Sequence, residues 1–221
     1  MALNRCTDLA GDAAAVSPLH RDAMPHVTIL SSYIALLCLG KSDFEAITGF
    51  REDPYFGEVL GLDRVPSEGI LRQRMDAHAA AYQGVVEAAA IEFLRRSDAQ
   101  ITALENGLVP LDCDVTPFDN SQSKKEGVSR TDKGEDGYAP IAAYLGREGY
   151  CVGLELRPGS QHCQNGTPEF LQRVIGRARQ LSTAPLLLRL DSGTDAIENI
   201  VLVEALNDCD ESRAPVHHLI K

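Results

Sequence analysis

The sequence has no hydrophobic run long enough to cross a membrane. Its longest apolar stretch, Val27 to Leu39, has 13 residues, includes Thr28 and two serines, and is followed by Gly40. A membrane-spanning helix needs about 20 predominantly apolar residues. The first residues, MALNRCTDLAGDAAAVSPLHRD, also lack the continuous apolar segment of a secretory signal. The sequence therefore predicts a soluble, cytoplasmic protein that does not bind membranes.

The sequence also lacks closely spaced cysteine pairs and an excess of basic over acidic residues. None of the six cysteines belongs to a Cys-x-x-Cys pair, so the sequence predicts neither a zinc site nor a disulfide framework. The net charge is −11, and the acidic residues are spread over both halves of the chain. Nonspecific binding to nucleic acid depends on Lys and Arg at phosphates, so any function on DNA has to be reconciled with this charge.

The chain divides into three predicted parts. Residues 1–24, rich in Ala, Asp and Gly without periodicity, are predicted to be disordered. Residues 25–108 have a helical pattern, in which Ser67 is predicted to cap a long helix with apolar residues every three or four positions. Residues 109–221 change to a strand pattern, in the order β-β-β-α-β-α-β. The predicted fold class is α/β, with a helical N-terminal region followed by a mixed sheet.

Two acidic motifs follow the most apolar predicted strands. In LDCDVT, strand alternation places Asp112, Asp114 and Thr116 on one face. A second apolar run, PLLLRLD, ends in Asp191. If the two strands are parallel neighbours, their acids emerge at one sheet edge, where hard oxygen ligands suit a divalent ion. The alternatives are that Asp112 pairs with an arginine such as Arg189, and that Asp191 caps a helix.

The strand region resembles the DDE transposases of bacterial insertion sequences, whose catalytic domain has a ribonuclease H-like fold. The resemblance covers roughly residues 25–221 and depends on the order and spacing of several segments. These segments are LDCDVT, GYAPI, LELRPGSQH, RLDSG and HHLIK, preceded by the helical REDPYFGEVLGLDRVPSEGILRQRMD.

The resemblance implies a metal-dependent reaction on DNA. The first catalytic acid maps to Asp114, with Asp112 as the alternative, and the second maps to Asp191. All three are expected metal ligands, for Mg²⁺ or Mn²⁺, in cleavage and transfer of DNA strands at transposon ends. The expected partner is DNA, and a homo-oligomer is compatible with this function.

The resemblance also implies a third carboxylate, a glutamate that would lie beyond Lys221. The expected domain is therefore a C-terminally truncated, incomplete ribonuclease H-like domain. We expect it to bind its ion weakly and to be inactive alone.

A polar segment, residues 118–137, follows the first strand. Its basic residues Lys124, Lys125, Arg130 and Lys133 are candidates for contacts to a DNA backbone. They are nearly balanced by acids, so a solvated hairpin loop remains the alternative interpretation.

Two other functions remain open. LDCDVT also fits haloacid dehalogenase-like phosphatases, with Asp112 as nucleophile and Asp114 as general acid. That family normally needs a phosphate-binding lysine, yet no lysine occurs between Lys133 and Lys221. The other is a noncatalytic protein whose helical half mediates association or binds DNA weakly.

Overall fold

The structure, a computed structural model, describes residues 6–18, 23–209 and 212–220. The chain divides into two compact units, Met1–Ser97 and Asp98–Lys221. The division falls after Ser97, earlier than the predicted boundary at residue 108. The connecting segment belongs to the second unit because the amide and hydroxyl of Thr102 both donate hydrogen bonds to Glu148.

The N-terminal unit is helical, as predicted. Its elements are α1 (Leu9–Ala14), α2 (His26–Cys38), a 3₁₀ helix (Phe44–Phe50), α3 (Pro54–Leu60) and α4 (Glu68–Arg96). The prediction of disorder over residues 1–24 is wrong for α1, because its Leu9 and Ala13 are buried in the apolar core of this unit. Residues 1–5 and 19–22 of that stretch lie outside the described residues.

Helix α4 begins where the sequence predicts. Ser67 Oγ accepts a hydrogen bond from the amide of Ile70 at 3.3 Å and caps the helix. The predicted apolar stripe is buried at Leu71, Tyr82 and Ala89. The backbone leaves helical geometry at His78, and beyond it Val86, on the predicted stripe, is 38% exposed. No helix in the described ranges is long and apolar enough to span a membrane.

The C-terminal unit contains the five strands and two helices of the predicted order, with three further short strands after the first. Its elements are β1 (Val109–Val115), β2 (Phe118–Asp119), β3 (Ser129–Arg130), β4 (Asp136–Tyr138), β5 (Ile141–Leu145), β6 (Tyr150–Glu155), α5 (Thr167–Leu181), β7 (Leu186–Leu190), a 3₁₀ turn (Ser192–Thr194), α6 (Ile197–Asp208) and β8 (Val216–Ile220). Five strands form one mixed sheet in the order β6-β5-β1-β7-β8. Strands β6, β5 and β1 are antiparallel neighbours, whereas β1, β7 and β8 are parallel. The predicted α/β class is confirmed.

Helix α5 covers one face of this sheet. Its Phe170 and Val174 are buried against β6, where Gly153 leaves them room. The register aligns Gly153 with Ala143 and Cys113, so these buried positions mark the covered face. Side chains alternate between faces along a strand, and the two aspartates of β1 therefore lie on the opposite face.

The predicted polar loop is not a plain hairpin loop. It contains the short strands β2, β3 and β4, which form a second sheet in the order β2-β4-β3. Gly137 lies in the central strand, where a Cβ would be 1.8 Å from the carbonyl oxygen of Phe118. Strands of two or three residues are too short to show a detectable alternation of apolar and polar residues, so the sequence does not predict this sheet.

Candidate active site

Asp114 and Asp191 follow equivalent positions on neighbouring parallel strands. The β1–β7 register ends with Cys113 opposite Leu190, and the two aspartates are the next residues on their strands. Asp191 keeps an extended backbone, with φ −83° and ψ 172°. The register therefore carries both aspartates to the same face and edge of the sheet, on strands about 4.8 Å apart. Both residues are exposed.

Asp112, two residues earlier on the same face, has a different partner. Arg189 donates from Nε to Asp112 Oδ1 and from a terminal nitrogen to Oδ2, the latter at 2.5 Å. Each side chain is 41% exposed. The hydrogen bond with Asp112 raises the pKa of Arg189. Both carboxylate oxygens of Asp112 are thus engaged, and binding a metal ion there would require this ion pair to open.

Each remaining aspartate is close to a threonine hydroxyl. Thr116 Oγ1 donates to Asp114 Oδ2 at 3.3 Å. Thr194 Oγ1 donates to the main-chain oxygen of Asp191 at 3.0 Å and lies 3.4 Å from Asp191 Oδ1. The Asp191 side chain caps neither the 3₁₀ turn nor α6, whose N-cap is Ala196. The carboxylate therefore remains able to accept further ligands.

Two carboxylates are the acidic ligands that this edge supplies. Among residues 6–18, 23–209 and 212–220, no group of three or more His, Cys, Asp or Glu side chains is arranged to hold a metal ion. Mg²⁺ is commonly bound in proteins by one or two carboxylates, with waters and substrate phosphates completing its shell. The donor set fits Mg²⁺ or Mn²⁺ on these terms.

An open cleft of about 420 Å³ adjoins this edge. It is lined by Val115, Ala139 and residues 130–132 and 159–163. Val115 follows Asp114 directly, and Cys163 contacts the loop that carries Asp191, since its thiol donates to the carbonyl oxygen of Gly193. The cleft therefore lies beside the loop that carries Asp191, although neither Asp114 nor Asp191 is among the residues that line it.

The four basic residues predicted to contact DNA are all exposed. Arg130 lines the cleft and lies 3.7 Å from Asp136 in an exposed ion pair. Lys124 and Lys125 lie in the connection between β2 and β3, and Lys133 lies in the turn before β4. The structure brings Arg130 alone of these four to the cleft wall.

The sequence did not indicate three residues near the site. Arg157 is 2% exposed and donates to the carbonyl of Cys163, whose thiol in turn contacts the Asp191 loop. Asn199 is 1% exposed and donates to the carbonyl of Thr194. An arginine directly after an apolar strand, in LELRPG, was the one local signal. No sequence spacing links Cys163 or Asn199 to Asp191.

Three comparisons with known proteins give the following matches. A family model described as "Transposase DDE domain group 1" matches residues 3–210. Among solved structures, the chain is similar to the Mos1 transposase paired-end complex with left transposon end, with 13% sequence identity and a TM-score of 0.31. That similarity covers 86% of this chain and 60% of the other. No curated protein matches the sequence.

Proposed function

This chain belongs to the transposase DDE domain family, and we propose that Asp114 and Asp191 are its metal-binding catalytic carboxylates for DNA cleavage and strand transfer at transposon ends. The observation that carries the proposal is the parallel β1–β7 register, which brings the two residues to one face and one edge of the sheet. Asp112, the alternative first acid, is held by Arg189, so we assign the first position to Asp114.

The charges at this edge favour a divalent cation. Arg189 pairs with Asp112, whereas the hydrogen-bond partners of the Asp114 and Asp191 carboxylates in the described part of the chain are threonine hydroxyls. When bound, Mg²⁺ or Mn²⁺ activates the attacking water or 3′ hydroxyl and stabilises charge on the leaving oxygen. Thr116 and Thr194 each orient one carboxylate through the contacts described above.

DNA contact is proposed for the rim of the cleft. Arg130 lines the cleft, and we assign it, together with the exposed Lys124, Lys125 and Lys133, to contacts with DNA phosphates. Phosphate contacts of this kind depend on local Lys and Arg rather than on the net charge of the chain. A net charge of −11 therefore does not by itself exclude these contacts.

We expect residues 1–221 to be inactive by themselves. The described residues supply two acidic ligands and no third at this edge. The glutamate that the resemblance implies stays a prediction. With two carboxylates, substrate phosphates must complete more of the ion's shell, so we expect weak ion binding in the absence of DNA.

The test is a titration of Mn²⁺ by electron paramagnetic resonance on the full chain. We expect Asp114→Asn and Asp191→Asn each to weaken binding by about tenfold or more, because each replaces a charged oxygen that coordinates the ion by a neutral one. Asp63→Asn, at an exposed aspartate of the N-terminal unit, serves as the matched control. Unchanged Mn²⁺ affinity in either site variant would refute the assignment.

A second assay tests the reaction itself. Genomic DNA beside the gene is searched for inverted terminal repeats, and duplex DNA carrying any that are found is incubated with Mn²⁺ and a chain extended at its C-terminus to include the expected glutamate; strand nicking is then measured. Nicking should require both aspartates. If the protein instead hydrolyses p-nitrophenyl phosphate and Asp112→Asn loses this activity, the result would favour the phosphatase alternative.

A further inference from the structure

The loop that carries Asp191, residues 191–195, is tied at Gly193 to the segment that precedes α5. Cys163 donates its thiol hydrogen to the carbonyl oxygen of Gly193. A Cβ placed on Gly193 would lie 3.4 Å from Asp191 Oδ1 and 3.5 Å from Cys163 Sγ. The thiol therefore restrains the backbone immediately beside the carboxylate.

A second tie passes through Asn199 in the first turn of α6. Its amide nitrogen donates to Gln164 Oε1 at 2.9 Å and to the carbonyl of Thr194 at 2.7 Å, and its oxygen accepts from Gln164 Nε2 at 3.2 Å. The polar atoms of the Asn199 side chain are thus all used, at a site that is 1% exposed. The same loop is held from a second direction.

Both ties start from a segment that Arg157 anchors. The Arg157 side chain is 2% exposed and donates to Glu155, to the carbonyl of Cys163 and to Thr167 Oγ1 at 2.8, 3.1 and 3.0 Å. Thr167 Oγ1 also donates to the Cys163 carbonyl at 2.6 Å. Two donors therefore fix the backbone position of Cys163, from which its thiol extends to Gly193.

We propose that Cys163 and Asn199 are positioning residues that hold the Asp191 carboxylate in the orientation needed for a divalent ion. The inference rests on the proposed function of Asp191. A catalytic carboxylate has to be held within about 0.5 Å of its productive position. The 3₁₀ turn that follows Asp191 contains a glycine and is exposed at residues 191–193, so its own packing provides little restraint.

The experiment compares Cys163→Ala with Cys163→Ser in the full chain. The alanine variant removes the hydrogen bond to Gly193, and the serine variant retains a donor at the same position. Two quantities are measured: hydrogen exchange of the amides of residues 193–195 in metal-free protein, and Mn²⁺ affinity. Cys38→Ala, at an exposed cysteine of the N-terminal unit, is the control.

We expect Cys163→Ala to speed exchange in this loop and to weaken Mn²⁺ binding by about tenfold, the size seen for partners that orient metal ligands. Cys163→Ser should restore most of both, and Cys38→Ala should change neither. Wild-type exchange and affinity in Cys163→Ala would overturn the proposal. So would a loss in Cys163→Ala that serine does not repair, because the hydrogen bond would then not be the cause.

A separate variant covers the case in which Cys163→Ala does not fold. Gln164→Ala breaks the second tie alone and should give the same two changes, and wild-type behaviour there would overturn the proposal. Asp191→Asn separates this inference from the proposed function. If Asp191→Asn keeps full Mn²⁺ affinity, the proposed function fails. If it loses affinity while the positioning variants keep theirs, only the positioning role fails.

Discussion

Replacing Arg189 by glutamine is expected to strengthen binding of a divalent ion at Asp114 and Asp191. Arg189 is held by Asp112, two residues before Asp114 on the same strand face. A strand rises about 3.3 Å per residue, so two residues separate the Arg189–Asp112 pair from the two aspartates by ~7 Å. We take this as the distance between the Arg189 charge and the proposed ion. Repulsion between charges of +1 and +2 at that distance is about 1 kcal/mol in water. Arg189→Gln removes it and should raise the affinity about fivefold at low salt.

The same reasoning gives matched variants of opposite sign. Asp112→Asn removes a negative charge at a similar distance and should lower the affinity about fivefold, and the double variant should return close to wild type. Because the Debye length is about 8 Å at 0.15 M ionic strength, each effect should fall to about twofold there. Arg51→Gln, at an exposed arginine of the N-terminal unit, is the control for loss of positive charge.

The assay is again the Mn²⁺ titration, run at about 0.01 M and about 0.15 M ionic strength. Weaker binding in Arg189→Gln would refute the electrostatic reasoning. If Asp112→Asn lowers the Mn²⁺ affinity by more than about tenfold at both salt concentrations, Asp112 is a direct ligand. The sequence analysis counted it among the expected ligands. The experiment therefore separates a ligand from a neighbouring charge.

Three further predictions concern the framework of the two units. Gly153→Ala should destabilise the protein by about 1–3 kcal/mol in chemical denaturation, since the new Cβ would lie 2.3 Å from Val174 Cγ1; a loss below about 0.5 kcal/mol would contradict the tight packing of α5 on β6. Burial is the main cause, and the charge of Asp112 the second, of a pKa of about 12 for the Cys113 thiol. Iodoacetamide at about pH 8 should therefore label the exposed Cys38 and leave Cys113 unlabelled. Peptide mass spectrometry measures both. Burial also lowers the pKa of His26. As the pH falls, the unfolded chain therefore takes up the proton before the folded chain does, and the free energy of unfolding should fall below about pH 6.5. If His26→Gln shows the same pH dependence as the wild type, His26 is not its origin.

The sequence predicted the strand positions of Asp114 and Asp191 because the relevant signals are local. Alternation in LDCDVT puts Asp114 on the face opposite the covered residue Cys113, and the apolar run before Asp191 marks a buried strand. Both strands form, and they pair in parallel as the prediction required. The α/β order and the cap at Ser67 follow from equally local patterns.

Other features depend on contacts between residues far apart in the chain. The small sheet within residues 118–138 forms from strands of two or three residues, too short for a detectable period. The predicted disorder of residues 1–24 failed at α1 because Leu9 and Ala13 are buried by other helices of the unit. Propensity alone does not register such tertiary burial.

For this protein, the sequence by itself determined which acids stand at the ends of buried strands, and hence the candidate chemistry. Only the tertiary structure decided which of these acids has a basic partner. Asp112 accepts hydrogen bonds from Arg189, 77 residues away in the chain, whereas Asp114 and Asp191 are the acids that we propose to bind an ion. The tertiary structure also decided that Cys163 reaches the Asp191 loop, 30 residues further on. The physical reason is that alternation along a strand is set by neighbouring residues, whereas a hydrogen-bond partner is set by the register between strands and the packing of distant segments.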